Sequence, residues 1–289
     1  MMLMQKAARW VLVVAVAVVA LAASVAAQQT VTRYVRYQAG NTISYGILDG
    51  ETVRELQGSI FENARPTGRT RKLAEVKLVA PVEPKKVIAA GFNYKSHLGE
   101  QPAAKYIGLF LKLPSSIIGH EENILYPADA TDLHYESEVV VVIGRRARNI
   151  TEAQVAQHIF GITAGNDVSE RAWQKQDLQW FRAKASDTFG PIGPSIATGL
   201  DYNNLKLVGR HNGKVVQETN TNLLIFSIPY IVSYVSRYVT LDPGDVIFTG
   251  TPGTTYAMKP GDTFEVEVDG VGVLRNRVVA APAPGAGRQ

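Results

Sequence analysis

Five glycine turns, Asp49-Gly50, Asn212-Gly213, Pro243-Gly244, Pro260-Gly261 and Asp269-Gly270, cut this chain into short runs. Asp-Gly and Asn-Gly fit the type I′ turn, whose twist matches that of the strands it joins. Residues 41–48 and 52–56 therefore read as one hairpin, and 205–208 with 215–218 as another. Residues 30–37 alternate like a strand, 65–69 (with Pro66 and Gly68) read as a loop, and 76–80 lead to Pro81 and Pro84. Helix signals are few. Thr151 and Gln154 have capping-box spacing and open a short helix ending near His158. Ser227 caps a second helix whose Ile228, Ile231, Val232 and Val235 make a core-facing stripe. The expected fold is mainly β with short helices. A small N-terminal β-domain at 30–82, too small to bury a core alone, packs on a larger unit at 83–281.

The chain has 289 residues, 46% hydrophobic and 19% charged, enough for one large domain or a large plus a small one. Its lack of cysteine excludes disulfides and thiolate ligands. Lys6 and Arg9 precede an apolar run over 10–23 and the small-residue pattern Val25-Ala26-Ala27, which describes a signal peptide at 1–27. Cleavage after Ala27 would give an exported protein, periplasmic or secreted, with no stable membrane span. An uncleaved anchor is the alternative. Without Lys6 and Arg9 the chain has 28 basic against 26 acidic residues, no reason to expect nucleic acid. The Ala/Pro/Gly-rich tail at 282–289 reads as disordered.

Two carboxylates stand at the mouth of an apolar run. Residues 134–143 read as a strand, so Glu136 and Glu138 point the same way, and 139–143 are apolar on both faces, as in a core. At about 4 Å and an effective dielectric of about 20, two such charges repel by roughly 4 kcal/mol. A bound cation removes that penalty. Asp167, after the apolar segment 159–164, can close the site from a neighbouring strand end. This all-oxygen set suits Mg²⁺, Mn²⁺ or Ca²⁺ and argues against structural zinc. The competing reading is a Glu-x-Glu that decorates an edge strand facing water.

A proton-transfer pair is separate from the carboxylates. His97 and Glu100 are three apart and share a face if 93–100 forms a helical turn. A carboxylate beside an imidazole fixes its tautomer and raises its basicity, as a general base for water requires. Gly91 and Gly99 suggest a mobile or tightly turned segment suited to a lid. Two tempting motifs fail. Gly250-Thr251-Pro252-Gly253-Thr254-Thr255 lacks the lysine of a phosphate loop, and Ser195 is not in a nucleophile elbow.

Six pieces occur in order: Gly91-Phe92-Asn93-Tyr94 through His97 and Glu100; Lys112-Leu113-Pro114-Ser115-Ser116-Ile117-Ile118-Gly119; Tyr135-Glu136-Ser137-Glu138; Asn166-Asp167-Val168-Ser169; Lys184-Ala185-Ser186-Asp187-Thr188-Phe189-Gly190-Pro191; and Gly244-Asp245-Val246-Ile247-Phe248-Thr249-Gly250-Thr251-Pro252. With them the chain resembles the fumarylacetoacetate hydrolase family, in its acylpyruvase and 2-hydroxyhepta-2,4-diene-1,7-dioate isomerase-like subgroup, from about Val31 to about Val279. The resemblance implies a mixed β-sandwich roll, a divalent ion (Mg²⁺, with Mn²⁺ or Ca²⁺ as alternatives) on Glu136, Glu138 and Asp167, and a His97–Glu100 dyad. It implies that Lys184 polarises the substrate oxygen, that Asn93, Tyr94, Lys112, Asp187 and Thr251 contact substrate, and that the protein is a homodimer.

Three positions depart from the family pattern. Ala172 stands where relatives carry an acid, Phe92 where some carry an arginine, and Gly253-Thr254-Thr255 where many have a Gly-Val-Gly turn. The function implied is a metal-dependent hydrolase that cleaves a C–C bond in an acylpyruvate- or fumarylpyruvate-like oxo acid, of the kind met in the catabolism of aromatic compounds. The ion would act as template and Lewis acid for the departing enolate, while His97 deprotonates water. The same site also serves an isomerase, decarboxylase or hydratase/lyase. A third reading is an exported, non-catalytic carboxylate binder.

Overall fold

A computed structural model describes residues 30–282. The expected signal peptide at 1–27, and all but the first residue of the expected tail at 282–289, lie outside these residues. No described helix is long and apolar enough to cross a membrane.

The main sheet runs, edge to edge, Arg65–Lys72, Thr52–Gln57, Thr42–Asp49, Thr32–Ala39, Gly190–Thr198, Ile159–Asn166, Ser137–Ile143, Val246–Phe248, Val87–Gly91 and Gly108–Lys112. Along this path every pair is antiparallel except Val246–Phe248 with Val87–Gly91. A second sheet orders Lys214–Asn220, Lys206–His211, Thr263–Val268, Gly272–Ala280 and Ile124–Tyr126. The fold is mainly β, as its glycine turns imply. Asn212 and Gly213 both have positive φ (50° and 79°), as a type I′ turn requires. In the first hairpin the turn residues are Gly50 and Glu51, and of these only Gly50 has positive φ, the pattern of a type II′ turn.

Ser137–Ile143 is buried throughout and its alternation sorts two cores. Val139, Val141 and Ile143 join Leu207, Val266 and Leu274 of the second sheet, with Ile231 and Val235 of the Ile228–Tyr238 helix. Val140 and Val142 face Ile192, Ile196, Val246 and Phe248 on the other side. Ser227 caps the helix as expected, accepting from Tyr230 N. Thr151 and Gln154 do form a capping box, though the turn that follows, Glu152–Gln157, is a 3₁₀ helix.

Several expectations are corrected. The strand expected over 134–143 is two: Leu133–His134 pairs with Ser169–Glu170, and the long strand starts at Ser137. Between them Glu136 leaves the ladder, its N–H donating to Asn166 Oδ1 (2.8 Å) and its carbonyl accepting from Asp167 N (2.9 Å). The expected loop at 65–69 is the edge strand Arg65–Lys72. Proline is tolerated on an edge, and the register shift opposite Arg54–Leu56 absorbs the irregularity. Thr32–Ala39 pairs with Gly190–Thr198, so the N-terminal strands extend the main sheet. Their own core is a small cluster around Val35, Tyr37 and Val53.

Candidate active site

The backbone kink at Glu136, the start of the Ser137–Ile143 strand and the end of the Ile159–Asn166 strand bring three buried carboxylates together. One oxygen each from Glu136, Glu138 and Asp167 lies within 4.8 Å of the others. Three cations surround them. Lys112 Nζ donates to Asp167 Oδ1 (2.5 Å), and Lys184 Nζ to Asp167 Oδ2 and Glu136 Oε2 (2.7 Å each). Arg171 Nη2 donates to Glu136 Oε1 (2.5 Å). Among the described residues Glu138 pairs with no cation; its Oε2 accepts from Gly250 N at 2.6 Å. Gly250 has φ +110°, and an added Cβ would lie 2.7 Å from Asn93 Cβ, so only glycine brings that N–H in without strain.

These surroundings split the carboxyls. Burial pushes Glu138 well above the usual carboxylate range, and the charges of Asp167 and Glu136 push it further. Burial would raise Glu136 too, but Lys184 and Arg171 outweigh it and hold that carboxyl low. Burial also pushes the Lys112 ammonium down, against the pull of Asp167, while Asp167 and Glu136 overcome burial at Lys184 and raise it. Three convergent oxygens, one of them without a cation partner, fit a hard divalent ion.

A cavity of about 440 Å³ reaches this cluster at Glu136, Arg171 and Lys184. Phe92, Phe110 and Trp180 wall it, with Trp180 edge-on to Phe92 (6.3 Å) and Phe110 (5.4 Å). Phe92 and Trp180 both have positive φ (57° and 54°), backbone uncommon for such residues and found most often at functional sites. His97 lines the cavity, with its Nδ1 2.6 Å from Gly253 O. A carbonyl only accepts, so Nδ1 carries the proton and the neutral ring keeps Nε2 as its basic atom.

The structure does not bring Glu100 to His97. The Lys95–Leu98 helix is a single turn ended by Gly99 at φ +62°, so the shared helical face never forms. Glu100 is exposed, lines a separate hollow, and makes no hydrogen bond or ion pair with a described residue. Asn93 is fully buried and spent on the fold: its amide donates to Phe226 O and Thr249 O and accepts from Phe226 N. Tyr94 is buried, its hydroxyl 3.5 Å from Asn220 O. Lys112 lies behind Asp167 and also donates to Lys184 O; Asp187 is exposed, and neither lines the cavity. Of the five residues expected at substrate, only Thr251 faces the cavity, its hydroxyl accepting from Gln217 Nε2.

Sequence reasoning missed Arg171 and Glu170. Glu170, fully buried, accepts from Thr131 N and Asp132 N through Oε1 and from Trp173 N through Oε2. Glu170 caps the Arg171–Gln176 helix, whose first residue, Arg171, pairs with Glu136. Glutamate is not among the residues preferred as N-caps, so spacing alone gave no signal for Glu170.

Comparison with known proteins gives two matches within the chain: residues 86–279 to the fumarylacetoacetate (FAA) hydrolase C-terminal family and residues 32–81 to the Rv2993c-like N-terminal family. The crystal structure of 5-carboxymethyl-2-hydroxymuconate delta-isomerase from Mycobacterium smegmatis is 41% identical with a TM-score of 0.82, covering 86% of this chain and 100% of that one. Mitochondrial oxaloacetate tautomerase FAHD2A of Bos taurus is 40% identical over 221 residues, 71% of this chain and 70% of that protein. Maleylpyruvate hydrolase from Sphingobium sp. SYK-6, solved with manganese (II) and pyruvate, is 27% identical with a TM-score of 0.72, covering 86% and 100%. The chain belongs to the fumarylacetoacetate hydrolase family.

Proposed function

We propose, with that family membership as premise, that the protein is a divalent-metal-dependent enzyme that moves a proton on a small, enolisable 2-oxo acid. The observation that carries this reading is the buried meeting of Glu136, Glu138 and Asp167 at a cavity lined by His97. Those three residues would hold Mg²⁺ or Mn²⁺; the manganese in the 27%-identical hydrolase supports the choice. When bound, such an ion supplies Lewis acidity that makes hydrogens beside an oxo group easier to remove.

The chain's own groups do the rest. His97 takes a proton at Nε2, its tautomer fixed by the Gly253 carbonyl. Lys184 and Arg171 hold Glu136 through both of its oxygens, and Lys112 holds Asp167 from behind. Phe92, Phe110 and Trp180 give the cavity beside His97 an apolar wall. Returning that proton to another atom is isomerisation or tautomerisation, and a lone histidine suffices for it. Hydrolysis of a C–C bond also needs an activated water, and the expected helper, Glu100, makes no hydrogen bond to His97 and lines a separate hollow. Proton relocation is therefore the first reading, in keeping with the 40%- and 41%-identical relatives, and C–C hydrolysis the second, in keeping with the 27%-identical one.

NMR of the metal-loaded protein with a panel of oxo acids in deuterated buffer tests both. Deuterium entering beside the oxo group with the skeleton intact supports relocation, and two carboxylic fragments support hydrolysis. No change to any substrate overturns both.

A further inference from the structure

We propose that Thr255 is a positioning residue, which together with His134 fixes Arg171 on Glu136 and so sets that carboxylate for the ion. The proposal rests on the metal reading above and concerns side chains outside the carboxylate cluster. Arg171 Nη2, which holds Glu136 Oε1, also donates to Thr255 Oγ1 (2.8 Å). Thr255 Oγ1 lies 2.9 Å from His134 Nδ1, and His134 Nε2 lies 2.8 Å from Asp132 Oδ1. Asp132 closes the circuit, because its carbonyl accepts from Arg171 N (2.9 Å). Asp132, His134, Thr255 and Arg171 thus form one ring of hydrogen bonds, and Glu136 is held to it through the guanidinium.

The donors and acceptors give this ring a direction. A guanidinium only donates and a carboxylate only accepts, so Thr255 receives a hydrogen from Arg171 and His134 carries its proton on Nε2, toward Asp132. Nδ1 of the neutral imidazole then accepts the Thr255 hydroxyl hydrogen. Thr255 lines the cavity, but its one donor hydrogen is spent on His134. It therefore serves Arg171 rather than the substrate. The turn that carries it is tied on both sides: Gly253 N donates to Ser96 Oγ (3.1 Å) and Gly253 O holds His97, while Met258 N donates to Leu133 O (2.7 Å). One turn thus supports the base at one end and, through Thr255, a metal carboxylate at the other. It is also the turn in which this chain departs from the Gly-Val-Gly of many relatives, and a glycine at 255 has no hydroxyl to offer.

Calorimetry of Mn²⁺ binding to the chelator-treated protein tests this without turnover. Thr255→Val keeps the branched shape and removes the hydroxyl, and its Kd for Mn²⁺ is expected to rise about 10–100-fold, the usual cost of losing an outer partner of a metal ligand. Thr255→Ser, which returns the hydroxyl, recovers most of that loss. His134→Leu weakens binding in the same direction, and the double variant with Thr255→Val binds no worse than Thr255→Val alone, because His134 acts only through the hydroxyl. A Thr255→Val Kd within about twofold of wild type, far below the cost of a lost outer partner, overturns the proposal and leaves the metal reading standing. No recovery in Thr255→Ser, or additive losses in the double variant, overturns it as well. Wild type that binds no Mn²⁺ removes the metal reading and the proposal together. Wild type that binds Mn²⁺ but turns over no oxo acid leaves the Kd comparison to uphold the proposal while the catalytic reading falls. If Thr255→Val does not fold, the wild-type imidazole decides by ¹H–¹⁵N NMR: a His134 proton on Nε2 upholds the relay, and one on Nδ1 overturns it.

Discussion

Glu55 and Glu138 are both covered glutamates, 5% and 1% exposed, and their surroundings push them in opposite directions. Glu55, just beneath the surface of the N-terminal strands, accepts from Tyr37 Oη (3.1 Å), Thr67 Oγ1 (3.2 Å) and Arg69 Nε (2.6 Å). Burial would raise its carboxyl, but those bonds, Arg69 first, hold it below the usual range. Glu138 has one backbone N–H and faces Asp167 and Glu136, so burial and like charge both raise it. A glutamate whose partners answer its charge anchors a fold. One whose neighbours repeat its charge has a place for a cation.

The strongest way to break that contrast is to neutralise each in turn. Glu138→Gln is expected to lower kcat/KM at least about 10³-fold, since a divalent ion contributes several kcal/mol to such chemistry. It should also abolish the rise in Tm on adding Mn²⁺ and raise the Tm of the chelator-treated protein, because repulsion is relieved. Glu55→Gln should leave the catalytic constants near wild type and cost about 1–2 kcal/mol of stability through lost charge-assisted bonds. Metal-free thermal melts that show Glu138→Gln as the less stable variant of the two would remove the distinction.

His97→Ala separates the chemistry from the metal. A general base typically contributes about 10²–10⁴-fold, so kcat should fall by that order while the Mn²⁺-induced rise in Tm remains. Loss of both together would mean that His97 supports the carboxylate cluster rather than the proton transfer.

The pH dependence of stability sharpens the same contrast, measured in chelator by urea unfolding. Glu138 titrates higher folded than its ordinary 4.5, so its contribution is fully present below 4.5 and is lost as pH rises through the raised folded value. Glu55 titrates lower folded, so its contribution is present above 4.5 and is lost as pH falls through the depressed value. Glu138→Gln should flatten the decline on the high-pH side, and Glu55→Gln part of the decline in acid. The reverse assignment would show that the charged neighbours do not control these groups.

The same division explains what could be read from the residues alone. Asn212-Gly213, Ser227 as a cap, and the apolar run at 139–143 depend on neighbours a few positions away, and each forms a local element. The partners of Asn93 lie 133 and 156 positions away, and those of Lys112 lie 55 and 72 away. Spacing cannot show that one amide is consumed by the fold while an ammonium stands behind Asp167. Likewise Glu136 and Glu138 converge through a break in the strand, not through the alternation that suggested it.

Glu100 is the third glutamate in this comparison and should matter least. Three positions after His97, it would share a face with it in a continuous helix, but Gly99 at φ +62° ends the helix first. With no bond to a described residue it neither orients the ring, which Gly253 O already does, nor answers a buried charge. Glu100→Ala is therefore expected to change kcat by less than about 3-fold, well below the loss assigned to a removed base. Its pH–rate profile should overlay that of wild type. A dyad predicts a different result: Glu100→Ala approaching His97→Ala, with the double variant no worse than either, because removing one member of a unit already disables it. That outcome would require the segment after Gly99 to fold back over His97 during turnover, and would return C–C hydrolysis to first place.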